Sequence, residues 1–256
     1  MILAIDSGNT NVVFAVQNGN DVQSQWRAAT VAERTADEYM VCLTQLMNLD
    51  GVDSKDIDGA IIASVVPQAV FNQRSLCRRY FNTTPLVVGD PNIDLGISVK
   101  VDRPNEVGAD RLVNAVAAHA TYGEAVIVID FGTATTFDVV DDDGSYLGGV
   151  ISPGVNLSLE ALHTAAAQLP RVAIARPARV IGKATVPAMT SGIYWGYVGL
   201  IEGLVARIQE EFGKPMMVIA TGGLSTVFSS GTNVIDKIDP DLTIRGLFEI
   251  YRRNRP

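Results

Sequence analysis

The chain has 256 residues, enough for one large domain or two ordinary ones with substantial cores. At 47% hydrophobic and 19% charged it is a globular composition, not a disordered one. Its formal net charge of −8, with no basic run longer than Arg78-Arg79 in the body of the chain, argues against a nucleic-acid-binding surface.

The first stretch, residues 1 to 20, reads as an apolar strand from Ile2 to Ile5, then Asp6-Ser7-Gly8-Asn9-Thr10, then a second apolar strand from Val12 to Val16 closed by Asn18-Gly19. Two apolar runs joined by a tight Gly-containing link are the pattern of a β-hairpin. Gln23 to Ala28 predicts a third strand. Thr35 then caps a helix with Asp37 and Glu38 in its first turn and Tyr39, Val41, Leu43, Leu46 and Leu49 as apolar positions. Residues 57 to 66 predict a strand, 68 to 81 a helix and 85 to 88 a short buried strand. This β-β-β-α-β-α-β order describes an α/β domain.

Residues 89 to 107 are loop-like, and a helix is predicted over 106 to 121. The opening device then returns: strand 125 to 130, Asp130-Phe131-Gly132-Thr133, strand 135 to 141, the Asp143-Gly144 turn, and strand 146 to 151. Asp138 and the run Asp141-Asp142-Asp143 read as strand-end and turn residues. Gly154-Val155-Asn156 opens a helix expected to run to about Leu169. Residues 170 to 183, rich in Pro, Arg and Gly, are expected to form a mobile loop. A long helix follows over about 186 to 212, carrying Gly192, Gly196, Gly199 and Gly203 on one face. Each glycine costs about 1 kcal/mol there relative to alanine, so the stripe calls for close approach of another helix, within the chain or across a dimer axis. Strand 216 to 220 ends in Thr221-Gly222-Gly223, and strand 234 to 237 precedes a closing helix begun at Asp239-Pro240-Asp241.

Cys42 and Cys77 fall among apolar positions of predicted helices and are expected as buried free thiols; with His119 and His163 they make no zinc pattern. The N-terminal apolar run is too short for a signal peptide, and the longest apolar window, 193 to 205, is cut by Glu202 and glycines. A cytoplasmic protein that does not meet the membrane is the expectation.

An Asp ending a buried strand, followed by Gly and a nearby Thr, supplies three things to a polyphosphate. Glycine lets backbone N–H groups approach an anion, the hydroxyl adds a donor, and the carboxylate can hold hydrated Mg²⁺. One such turn is common; two copies between buried strands point to a duplicated nucleotide device expected to face itself across a cleft. Gly222 and Gly223 suit close backbone approach to an adenosine. Neither G-x-x-x-x-G-K-[ST] nor G-x-G-x-x-G occurs. Asp110, in the first turn of its helix, reads equally as a general base or as a structural helix-terminal acid.

These duplicated hairpins resemble the superfamily of actin, sugar kinases, acetate kinase and heat-shock chaperones. The closer resemblance is to the type III pantothenate kinases. It rests on Asp6 to Thr10, Ser64-Val65-Val66-Pro67, Glu106-Val107-Gly108-Ala109-Asp110-Arg111, Asp130 to Asp138, Gly148 to Gly154, Thr221-Gly222-Gly223-Leu224 and Asp239 to Thr243. The resemblance implies an α/β fold of two ribonuclease H-like (actin-like) domains, each a mixed sheet with flanking helices, divided here as 1–107 and 108–256.

It further implies that Asp6, Ser7, Gly8, Asn9, Thr10, Asn11, Val12 and Val13 bind the ATP phosphates, with Asp6 near Mg²⁺, and that Thr133 contacts ATP. Gly108, Ala109, Asp110 and Arg111 would contact pantothenate, Asp110 acting as the base on its primary hydroxyl. Thr185 would touch substrate, and Asp130 would help bind a monovalent cation, K⁺ or NH₄⁺. A homodimer is also implied. Val101 stands where many members carry a pocket tyrosine, and Arg103 where asparagine is common. A kinase for another small alcohol, such as a sugar, and a nucleotide-binding regulator are the competing readings.

Overall fold

The computed structural model describes residues 1–165 and 169–255. Its elements fall into two compact units, one formed by Met1–Thr121 with the chain from Leu242 onward, the other by Tyr122–Asp241.

In the first unit, β1 (Ile2–Ser7), β2 (Asn11–Asn18) and β3 (Asp21–Ala29) form a meander, followed by α1 (Ala36–Leu49), β4 (Gly59–Ser64), α2 (Pro67–Tyr80), β5 (Leu86–Val87) and α3 (Ala109–Tyr122). The sheet order is β3-β2-β1-β4-β5. β1 pairs antiparallel with β2 and parallel with β4, Asp6 opposite Val13 on one side and Ala63 on the other. As a central strand covered on both faces, β1 is a continuous apolar run until its last two residues. One face of the sheet (Leu3, Ile5, Ile62) packs on Tyr39, Leu43 and Met47 of α1 and on Leu76 and Cys77 of α2. The other face (Ala4, Ala15, Ile61, Ala63) packs on Val113 and Val116 of α3 and on the chain's last helix.

α1 begins as its sequence requires: Thr35 accepts from the Glu38 N–H at 3.3 Å and the Glu38 carboxylate accepts from the Thr35 N–H at 2.8 Å, a reciprocal capping box. Its buried stripe is Ala36, Tyr39, Leu43 and Met47, so Val41 and Leu49 are exposed, and so is Cys42. The expectation of two buried thiols therefore holds for Cys77 alone. Burial pushes the Cys77 thiol up to about 12.

The second unit repeats the first: β6 (Val126–Phe131), β7 (Ala134–Val140), β8 (Tyr146–Pro153), α4 (Val155–Ala165), α5 (Thr185–Phe212), β9 (Met217–Gly222), α6 (Ser225–Ser229) and β10 (Lys237–Ile238). The order β8-β7-β6-β9-β10 matches β3-β2-β1-β4-β5 strand for strand, with the same antiparallel and parallel pairings. Ile127, Ile129 and Phe137 pack on Tyr194, Tyr197, Val198 and Ile201 of α5, with Phe228 of α6 stacked on Phe131. The expected end of α4 near Leu169 lies partly outside the described residues. Residues 169 to 184 contain no helix or strand, yet Arg176 donates to the Ser230 carbonyl at 2.7 Å and lies over the Trp195 ring.

The chain closes with α7 (Leu242–Arg253), which belongs to the first unit. The expected boundary at 107/108 is thus corrected: α3 stays with the first sheet, and α7 returns to it. Ile244, Leu247, Phe248 and Ile250 of α7 cover the same sheet face as α3, and Thr243 donates to the buried Asn114 of α3 at 2.7 Å. Among the described residues no helix is long and apolar enough to cross a membrane.

Candidate active site

At the end of β1 the backbone turns tightly. The Gly8 N–H donates to the Asn11 carbonyl at 3.0 Å, and Thr30 at the end of β3 clamps the turn by donating its hydroxyl to the Gly8 carbonyl at 2.6 Å. Asn9, Thr10 and Asn11 are exposed and Asp6 is half-buried. The Val12 and Val13 side chains lie in the core, so only their backbone is left for a ligand. Ser7 is also buried at 1% exposure; its hydroxyl accepts from the amide of Gln73 at 2.9 Å.

The β4–α2 turn, Ser64 to Pro67, lies at the same edge of the sheet because β4 runs parallel to β1 with Ser64 opposite Ser7. The Val65 N–H donates to the Ser7 carbonyl at 3.0 Å. The Val65 side chain lies 3.7 Å from where a Cβ on Gly108 would stand. This turn therefore touches both the first loop and the start of α3, where Gly108, Ala109, Asp110 and Arg111 are half-buried. A Cβ at Gly108 would come within 2.6 Å of Asp110 Oδ1, so glycine is what admits the carboxylate. The same Oδ1 accepts the Arg111 N–H at 2.8 Å. Burial raises the Asp110 carboxyl above the usual aspartate range, opposed by that N–H and by the Arg111 charge. Asp110 is thus both a helix-terminal acceptor and a carboxylate whose proton affinity is increased, the property a general base needs.

The second unit builds its own edge. The Gly132 N–H donates to Ala134 O at 3.0 Å, and the Gly154 N–H to Thr133 O at 3.1 Å, which seats the Gly148–Gly154 stretch on the Asp130–Thr133 turn. Asp130 pairs with Thr221 and Phe131 with Gly222 across β6 and β9. Gly222 has φ +86°, and a Cβ there would stand 2.7 Å from both Asp130 Oδ1 and the Phe131 carbonyl oxygen. Thr133 and Gly223 are exposed beside this point, and Thr185 is exposed in the first turn of α5. The two oxygens at this point, the Asp130 carboxylate and the Phe131 carbonyl, are of the hard kind that holds alkali and alkaline-earth cations, with the Phe131 backbone nitrogen beside them at 2.8 Å from the same Cβ position. Among the described residues no three His, Cys, Asp or Glu side chains form a metal cluster. A cation here would rest on one carboxylate, carbonyls, water and substrate oxygens.

Sequence reading missed two features. Asp138, expected as a strand-end residue, lies inside β7 at 0% exposure and accepts from Tyr146 at 2.9 Å and Thr136 at 3.0 Å. Gln73 was read only as part of a helix. Its place on the buried stripe Ala69, Gln73, Leu76, Cys77 was the available signal, since a polar residue in phase with an apolar face has to find a partner there.

A protein described as a 2-dehydro-3-deoxygalactonokinase from Sinorhizobium meliloti superposes with a TM-score of 0.60 at 17% identity, over 100% of this chain and 97% of that one. The twice-used five-stranded sheet is the fold shared with that protein, each copy here carrying an Asp-x-Gly turn after its first strand. The family model for type III pantothenate kinase matches residues 2–207. A type III pantothenate kinase of Paramagnetospirillum magneticum is 68% identical over 99% of this chain and 98% of its own. One of Rhodospirillum rubrum is 68% identical over the full length of both. The chain belongs to the type III pantothenate kinase family.

Proposed function

We infer that this chain transfers the γ-phosphoryl group of ATP to the primary hydroxyl of pantothenate, the first step of coenzyme A synthesis, with Asp110 as the general base. The observation that carries the assignment of the base is its position. The half-buried carboxylate with raised proton affinity stands at the start of α3, and Val65 joins that start to the first glycine turn. Phosphoryl transfer through a loose transition state asks for positioning and charge neutralisation more than for covalent chemistry. One carboxylate suffices: Asp110 accepts the hydroxyl proton, the alkoxide oxygen bonds to phosphorus, and the bond to the β-phosphate oxygen breaks to release ADP.

The backbone of Asp6 to Val13 cradles the phosphates, and Thr133, Gly222 and Gly223 contact the nucleotide. Gly108 to Arg111 and Thr185 hold pantothenate. Divalent metal bound with ATP supplies charge neutralisation, and Asp6, a single half-buried carboxylate, fits an acceptor for its waters. The Asp130 carboxylate with the Phe131 carbonyl fits K⁺ or NH₄⁺. The enzyme is a cytoplasmic homodimer in this reading, supported by the α5 stripe: a Cβ on Gly192, Gly196 or Gly199 would meet nothing within 4 Å, so their absent side chains make room for no neighbour in their own unit.

The test is a coupled ADP-release assay with pantothenate and with hexoses, in potassium, ammonium or sodium. Pantothenate-dependent ADP release in potassium or ammonium is the expected result. Release with a hexose in place of pantothenate overturns the substrate, and equal rates in sodium overturn the role given to Asp130.

A further inference from the structure

Gln73 lies in the second turn of α2, on its buried face, with 0% exposure. Its Nε2 donates to Ser7 Oγ at 2.9 Å across 66 residues of chain, and its Oε1 has no hydrogen-bond partner. For folding alone this is a poor choice of residue. A buried acceptor left without a donor is destabilising, a cost that an apolar side chain of the same shape does not carry. What glutamine does here that methionine could not is hold Ser7. That residue is the last of β1, between Asp6 and Gly8, and its carbonyl is held from the other side by the Val65 N–H. Ser7 is therefore gripped twice from the β4–α2 segment, once at its hydroxyl and once at its backbone, immediately before the turn that Gly8 opens.

We propose that Gln73 is a positioning residue for ATP: through Ser7 it fixes the backbone of the first glycine turn against the phosphates. The inference rests on the reading that Asp6 to Val13 bind ATP. Gln73 touches no substrate itself; Ser7 serves the turn from within the core, its side chain directed at Gln73 and not at the nucleotide.

The test is Gln73→Met, close in shape and without the amide, alongside Ser7→Ala. A merely structural glutamine predicts a lower Tm and kinetic constants that decline together. The positioning role predicts a KM for ATP raised about fivefold, the worth of one hydrogen bond, with Tm little changed, because one buried orphan, Gln73 Oε1, is exchanged for another, the Ser7 hydroxyl. The KM for pantothenate stays put. Ser7→Ala reproduces the ATP effect, and the double variant is no worse than either single one, since both remove the same interaction. An unchanged KM for ATP in Gln73→Met overturns the inference, as does a parallel rise in both KM values with a fall in Tm. Asp6→Asn separates the two levels: if it raises the KM for ATP while Gln73→Met does not, only the role of Gln73 fails. If neither variant affects ATP, the assignment of the turn to ATP fails with it.

Discussion

Val65 donates its N–H to the carbonyl of Ser7 at 3.0 Å while its side chain stands 3.7 Å from the position of a Cβ on Gly108. One residue of the β4–α2 turn thus lies beside both the first glycine turn and the start of α3.

Gly108→Ala tests that geometry. The added methyl would meet Asp110 Oδ1 at 2.6 Å, the mobile end of a side chain and not backbone, so the carboxylate turns aside and the fold survives. A displacement of about 1 Å at a reacting group costs roughly 100-fold. The expected outcome is a kcat lowered roughly 10- to 100-fold with Tm little changed, measured by steady-state kinetics and thermal melting. A variant with full kcat would show that the placing of the Asp110 carboxylate does not matter.

Asp110 gives a pH prediction with a definite sign. Burial raises its folded-state pKa, so the fold favours the protonated form. The stability linked to that form is fully present below the unfolded pKa and is lost as pH rises through the folded one. At neutral pH the ionised, half-buried carboxylate is a net cost, and Asp110→Asn should melt no lower than the parent. That variant should also lose turnover while still binding ATP. In the parent, kcat/KM should fall on the acid side with an apparent pKa above that of an ordinary aspartate. An Asp110→Asn enzyme that turns over would remove the base from the mechanism.

Much of this was legible because it is local. Strand, glycine turn and strand declare themselves within 20 residues, and the second copy declares itself the same way. The reciprocal cap at Thr35 and Glu38 is equally short-range. The division into units was not legible, because it depends on α7 covering, beside α3, a sheet whose strands lie more than 150 residues earlier in the chain. No periodicity reports which sheet an amphipathic helix will choose. Gln73 escaped for a related reason: its partner Ser7 is fixed by strand order, and a glutamine in a helix otherwise reads as surface.

Gly222→Ala bears on the cation. With φ +86° and a Cβ site 2.7 Å from Asp130 Oδ1 and the Phe131 carbonyl, alanine is strained in backbone and crowds the proposed donors. The strain should cost about 1 kcal/mol or more. Activity should fall most steeply at low potassium and recover in part at high potassium, read from rate against potassium concentration. A loss independent of the cation would tie Gly222 to the nucleotide alone.

The glycine stripe of α5 separates the two origins weighed for it. Glycine in a helix interior costs about 1 kcal/mol relative to alanine, and Gly192, Gly196 and Gly199 have no neighbour within 4 Å of a Cβ site. Were the stripe idle surface, Gly196→Ala would simply stabilise the chain, by about 1 kcal/mol. Were it the seat of a second copy, a larger side chain would hold the two helices apart. Light scattering should give twice the 27.3 kDa chain mass for the parent. For Gly196→Leu it should give a mass that falls toward one chain on dilution, with the helical signal retained. A Gly196→Leu protein that stays dimeric at every concentration would move the dimer contact off this stripe and leave its glycines without a function in assembly.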